Sequence, residues 1–162
     1  MKNIAQIGCG YWGPNLLRNF DANKRCRVKT LADFSEERRQ FVNDRFPEVN
    51  VVDNLEAVFD DPEIDAVIVA TPAGTHFELA KRAIKSGKHV FVEKPLATSV
   101  AEVDELERLS KEQNVVVFVG HTFLYNAAVR HIKGLIDSGE LGDIRYIYSR
   151  RLNLGRIRDD ID

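Results

Sequence analysis

Glu93-Lys94-Pro95 is the stretch whose residue types point most directly to chemistry. A carboxylate and an amine placed together at the end of the apolar run Val90 to Val92 are costly to bury unless paired. Pro95 restricts the backbone that aims Lys94. A lysine amine beside a bound dinucleotide can give a proton to a substrate hydroxyl, or take one from it, while hydride moves. On physics alone, a surface Glu–Lys pair is the competing account.

Gly8-Cys9-Gly10-Tyr11-Trp12-Gly13 follows a short apolar run and opens an amphipathic one. The G-x-G-x-x-G pattern by itself is weak, but a strand before it and a helix after it are the context the dinucleotide fingerprint requires. The first glycine permits the turn, the second lets a pyrophosphate approach the backbone, and the third lets helix and strand pack closely. The helix N-terminus offers free N–H groups to the phosphates. Tyr11 and Trp12, inside the turn, belong to the same expected cofactor site.

Asp33 stands at the end of the second apolar run, where a carboxylate can accept hydrogen bonds from both hydroxyls of an adenosine ribose. That favours NAD over NADP, although Ser35, Arg38 and Arg39 can offset the repulsion of a ribose phosphate. A turn or helix-capping carboxylate is the plainer reading of Asp33 taken alone. Thr71 and Pro72, in ATPAGTH at the C-terminal end of the fourth expected strand, are expected to line the cofactor. His76 reads equally as a cofactor contact or as a partly exposed histidine with no such role. His89 and His131 are read as structural. The four histidines lack ligand spacing, and Cys9 and Cys26 form no C-x-x-C, so neither a metal nor a disulfide framework is expected.

These residues need a scaffold, and the patterning supplies one. Apolar runs at Ile4 to Ile7, Val28 to Ala32, Ala66 to Ala70, Val90 to Val92 and Val115 to Val119, with a weaker one at Val49 to Val52, alternate with amphipathic stretches. That is the signature of βα units feeding a parallel sheet buried on both faces. Helices are expected at about 12–21, 35–46, 75–86, 99–113 and 127–138. Ser99 with Glu102 and Thr75 with Glu78 match the capping box. Val100, Val103, Leu106 and Leu109 form an apolar stripe, and Gly87 and Gly139 stand at helix C-termini. Beyond Gly139, residues 143–149 alternate as a half-wet antiparallel strand would.

The expected architecture is α/β. Residues 1–122 form a Rossmann doubly wound parallel sheet, and residues 123–162 form a linker helix and the first strand of an incomplete α+β substrate domain. At 162 residues one full core is allowed, and 44% hydrophobic with 30% charged residues is the composition of an ordinary globular chain. The net charge is -2 with 23 basic residues interleaved among 25 acidic ones, which argues against a nucleic-acid partner. Arg150, Arg151, Arg156 and Arg158 form the one basic cluster and read as a solvated or partner-facing segment. No signal peptide and no membrane-length apolar run is seen, so a cytoplasmic protein without a membrane partner is expected.

The order AQIGCGYWG, Asp33, ATPAGTH, VEKPLA, VGHTFLYN resembles the N-terminal half of the glucose-fructose oxidoreductase and inositol dehydrogenase (Gfo/Idh/MocA) family, over essentially the whole chain. The resemblance implies an NAD-dependent sugar dehydrogenase. In it Lys94 transfers the proton, and Glu93 lies beside it near the nicotinamide ribose. The segment from Gly120 to Arg158 is most similar to members oxidising a UDP-N-acetylglucosamine or UDP-N-acetylglucosaminuronic acid type of sugar, with Ala127 where those usually have Pro. His121, Tyr125 and Asn126 are expected either to touch the sugar or nicotinamide or to pack at a domain junction.

Family members continue into an open antiparallel sheet with an Asp-x-x-x-His motif, a substrate wall and usually a dimer interface. No such motif precedes Asp162, so the chain is expected to be truncated and to lack full activity, and the full-length form to be a homo-oligomer. A non-catalytic dinucleotide sensor or assembly module is the alternative. A methyl-transfer enzyme would also use a glycine loop, but has no need of Glu93-Lys94-Pro95.

Overall fold

Apolar segments of three to seven residues pair in parallel because the stretch between each pair is long enough to cross back over the sheet. A computed structural model describes residues 1–150 and Leu152. Arg151, Arg156 and Arg158 of the basic cluster lie outside the described residues. The elements are β1 (Lys2–Ile7), α1 (Gly13–Asp21), β2 (Cys26–Ala32), α2 (Glu36–Arg45), β3 (Asn50–Val52), α3 (Glu56–Phe59), β4 (Ala66–Val69), α4 (His76–Lys85), β5 (His89–Val92), α5 (Val100–Glu112), β6 (Val117–Val119) and α6 (Ala127–Asp137). The chain divides into two compact units, Met1–Gly120 and His121–Asp162.

In the first unit six parallel strands are ordered β3-β2-β1-β4-β5-β6. Strand order reverses between β1 and β4, and in an open α/β sheet the crevice beyond the strand C-termini at that point is where ligands bind. One core face joins Ala5, Ile7, Val67, Val69, Val90 and Val92 to Leu79 and Ile84 of α4 and Leu106 of α5. The other joins Val28 and Leu31 to Leu17 of α1 and Val42 of α2. A bulge between Ile4 and Ala5 of β1 and their β2 partners shifts the pairing from Val28 to Thr30. Lys29, at the bulge, reaches Asp61 and Glu63, both at 2.6 Å.

Helix ends follow local chemistry in most places. Ser99 and Glu102 form the reciprocal capping box at α5, and Gly87 and Gly139 follow α4 and α6 with positive φ. Thr75 makes no side-chain cap, which corrects the second expected box. A 3-10 turn, Ala73–Thr75, precedes α4, and the Thr75 hydroxyl instead donates to Pro72 O at 2.7 Å. The α5 stripe is also shorter than its spacing suggests. Leu106 and Leu109 are buried, whereas Val100 is 77% exposed and Val103 36%.

The second unit holds a 3-10 turn at Thr122–Tyr125 and then α6. Residues 144–150 form no strand among the described residues, which corrects the expected strand at 143–149. A strand needs a partner for its backbone N–H and C=O groups, and alternation of side chains cannot supply one. No helix among the described residues is long and apolar enough to cross a membrane.

Candidate functional site

The glycine turn is built by contacts that exclude side chains. Gly8 has φ +91°, and a Cβ there would lie 2.6 Å from Ala70 O and 2.8 Å from the Thr71 methyl. A Cβ on Gly13 would lie 2.8 Å from Gly8 O. Gly10 differs, because its Cβ would meet only the Arg38 guanidinium, at an ordinary 3.5 Å. The space over the second glycine is therefore left for something other than the protein. Helix α1 begins with no side-chain cap and has Pro14 in its first turn, so its amides remain available to an anion. Tyr11 and Trp12 stand outward, 75% and 45% exposed.

Gln6 holds this turn from beneath and was not anticipated. Its side chain is fully buried, and Nε2 donates to Gly8 O at 2.8 Å and to Gly13 O at 3.0 Å. One amide thus closes both ends of the glycine motif. The available signal was a polar residue inside the run Ile4 to Ile7, two residues before Gly8.

Asp33 is 8% exposed. Its Oδ2 accepts the Cys9 amide at 2.7 Å and its Oδ1 the Ser35 amide at 2.8 Å. Each carboxylate oxygen has a second lone-pair direction, so ribose hydroxyls can still be received. Arg38 Nη1 lies 3.9 Å from Asp33 Oδ2, and Arg39 donates to Asp33 O and Phe34 O, both at 2.9 Å. Burial, then the Asp33 charge, pushes the Cys9 thiol up to about 11, against a smaller opposing effect of Arg38. The thiol is neutral and forms part of the wall. Cys9, Pro14, Glu37, Arg38 and Phe41 line a concavity of about 190 Å³ beside the turn.

Across the switch point, β4 and β5 end side by side, their last registered pair being Val69 with Val92. Thr71 packs on Gly8, and its hydroxyl lies 2.7 Å from that of Thr75. Pro72 is exposed. Glu93 is buried, and its Oε2 accepts the Lys94 backbone amide at 3.3 Å while Oε1 is buried without a partner. Gly120 at the end of β6 faces it, since a Cβ there would lie 3.0 Å from Oε1. Lys94 and Pro95 are exposed, and the Lys94–Pro95 peptide is cis. No ion pair joins the Glu93 and Lys94 side chains among the described residues, so they are not the buried charge pair that adjacency suggested.

His76 is 1% exposed, which removes the partly exposed one of its two expected readings. Nδ1 lies 2.7 Å from Pro95 O and Nε2 2.8 Å from Thr71 O. His89 Nδ1 accepts the Val116 amide at 3.0 Å, a structural bond. His121, Tyr125 and Asn126 belong to the second unit. There Asn126 caps α6, accepting the Ala128 and Val129 amides at 3.0 and 3.3 Å. No cluster of three or more His, Cys, Asp or Glu side chains suited to a metal occurs among the described residues.

The open space over Gly10, the uncapped α1 terminus and the orphaned Glu93 oxygen together fit a dinucleotide lying from Asp33 to Lys94. A family model described as oxidoreductase family, NAD-binding Rossmann fold (GFO_IDH_MocA) matches residues 2–121. The chain is 37% identical over 146 residues to uncharacterized oxidoreductase YdgJ of Escherichia coli (strain K12), covering 90% of this chain and 42% of that protein. It is 39% identical over 107 residues to scyllo-inositol 2-dehydrogenase (NADP(+)) IolW of Bacillus subtilis (strain 168), covering 66% and 30%. The crystal structure of GenD2 from gentamicin A biosynthesis in complex with NAD matches with a TM-score of 0.81 and 29% identity over 86% of this chain and 40% of that one. The chain spans less than half the length of each of these relatives.

Proposed function

The chain belongs to the Gfo/Idh/MocA oxidoreductase family and carries its NAD-binding Rossmann fold; from that premise we propose that it is the cofactor-binding part of an NAD-dependent sugar or nucleotide-sugar oxidoreductase, with Lys94 as the proton donor and acceptor. The observation that carries this reading is the position of Lys94. It is exposed at the C-terminal end of β5, one strand from the Thr71 loop that packs on Gly8.

Each residue has a physical role in this reading. Gly10 and the first turn of α1 receive the pyrophosphate through backbone N–H groups, and Asp33 receives the adenosine ribose hydroxyls. Thr71, Pro72 and Pro95 wall the nicotinamide end, and the free Glu93 oxygen accepts a hydroxyl there. When bound, the nicotinamide supplies the hydride acceptor or donor. Lys94 takes the proton of the carbinol hydroxyl as its carbon is oxidised, and returns it to the carbonyl oxygen in reduction.

NAD is favoured over NADP because Asp33 opposes a ribose phosphate, while Arg38 beside it tempers that opposition. Relatives point both ways, IolW being named for NADP(+) and GenD2 being in complex with NAD. The names of the relatives support a sugar-like substrate but do not narrow it to the UDP-N-acetylglucosamine type. His121, Tyr125 and Asn126 are proposed as substrate-side residues.

Lys94→Ala in a form extended to the length of the relatives tests the reading. Turnover of a polyol or nucleotide sugar with NAD should fall by about 10²- to 10⁴-fold, with NADH binding retained. Unchanged turnover would overturn the assignment. The 162-residue chain by itself should bind NADH.

A further inference from the structure

We propose that His76 is a positioning residue for the nicotinamide end of the site, its ring holding the Thr71 loop and the Lys94–Pro95 loop in a fixed relation. The inference rests on the reading of this site as a dinucleotide site and assigns a residue that acts without touching the ligand.

Register pairing between β4 and β5 ends at Val69 and Val92, two residues before Thr71 and Lys94. Past that point the sheet no longer dictates the spacing of the two loops. His76, first residue of α4, lies beneath them with 1% of its surface exposed. Its two nitrogens are 2.7 Å from Pro95 O and 2.8 Å from Thr71 O. Both partners are carbonyl oxygens, which only accept, so the ring nitrogen that carries the proton donates to one of them and the other nitrogen packs against the second.

The far side of each loop leads to the cofactor. Thr71 packs on Gly8 so closely that a Cβ on Gly8 would lie 2.8 Å from its methyl group, and Pro95 directly follows Lys94. Gly8, Thr71, His76, Pro95 and Lys94 therefore form a continuous mechanical connection from the phosphate turn to the proposed proton carrier. A core histidine with a purely structural role would have no reason to join the two loops that flank the ligand. A buried ring within 2.7 and 2.8 Å of both carbonyls makes their separation a property of one side chain.

The test compares two ligands on the 162-residue chain. NADH fluorescence titration reads the whole dinucleotide, and calorimetry with ADP-ribose reads the same ligand without nicotinamide. His76→Leu should weaken NADH about tenfold, the order of one buried hydrogen bond, and leave ADP-ribose within about twofold. His76→Gln, which keeps a polar donor without the rigid ring, should fall between, and it carries the comparison if the Leu variant does not fold. Equal weakening of both ligands would reduce His76 to a stability residue, and unchanged NADH affinity in both variants would also overturn the proposal. A wild-type chain that binds neither ligand would remove the dinucleotide reading itself, and the proposal with it, before any variant is made.

Discussion

The Asp33 carboxylate accepts the backbone amide of Cys9 at 2.7 Å, so the acidic residue after β2 and the glycine turn after β1 are one hydrogen-bonded unit. Asp33 has a second oxygen on Ser35 and the Arg38 guanidinium 3.9 Å away. It is therefore at once a structural clamp, a helix-entry acceptor and the charge nearest the expected ribose.

Asp33→Asn keeps one acceptor oxygen and removes the charge. Arg38 is then unopposed at the ribose position, so the ratio of NADH to NADPH affinity should move toward NADPH by about tenfold, the effect of roughly 1.4 kcal/mol. Parallel fluorescence titrations measure it. A ratio that stays put would remove Asp33 from cofactor choice.

Gly13→Ala places a methyl group 2.8 Å from Gly8 O, against backbone that cannot rotate away. Overpacking of this kind costs about 1–3 kcal/mol, and NADH binding should weaken with it because the turn is displaced. Gly74→Ala is the control, since nothing lies within 4 Å of its added Cβ. Urea unfolding of the two variants should separate them clearly, and equal stability would contradict the packing argument.

Gln6→Glu should be worse than Gln6→Leu. Leucine merely removes the Gln6 donor from Gly8 O and Gly13 O, at about 1–3 kcal/mol for a buried hydrogen-bonding group. Glutamate sets a buried acceptor against two carbonyl oxygens. If unfolding midpoints rank the two the other way, Gln6 is not the donor that closes the turn.

Asp61 is held below its ordinary 3.8 chiefly by the Lys29 hydrogen bond and then by the Glu63 amide. Lys29 is held above its ordinary 10.5 by Asp61 and then Glu63. A lowered acid contributes fully above 3.8, and its contribution disappears as pH falls through the lower folded value. A raised base contributes fully below 10.5 and loses its effect as pH rises past the folded value. The stability gap between wild type and Lys29→Met should accordingly narrow in urea titrations run from about pH 7 down to about pH 3. A gap independent of pH would mean that the pair contributes nothing measurable.

Among the described residues, sequence patterning located the six strands and five of the six α-helices to within a few residues, because parallel strands buried on both faces are almost continuously apolar and helix caps are local chemistry. The short α3 (Glu56–Phe59) escaped, since four residues carry too little periodicity. Ser99 was legible as a cap because its whole device lies within four residues. Thr75 was not, because its hydroxyl is diverted to Pro72 by a turn that the capping pattern does not encode. The alternation at 143–149 produced neither a strand nor a buried face, all seven residues being exposed, because a strand also needs a partner.

The sequence by itself determined which residues stand at the C-terminal ends of the strands, and with them the glycine turn, Asp33, Thr71 and the Glu93-Lys94-Pro95 edge, because these depend on short spacings along one chain. Only the tertiary structure decided what Gln6 and His76 do. Their partners are carbonyl oxygens, Gly8 and Gly13 for one, Thr71 and Pro95 for the other. Every residue carries such an oxygen, so no sequence pattern marks it. Packing brings the right carbonyls to a buried donor, and burial makes the match count.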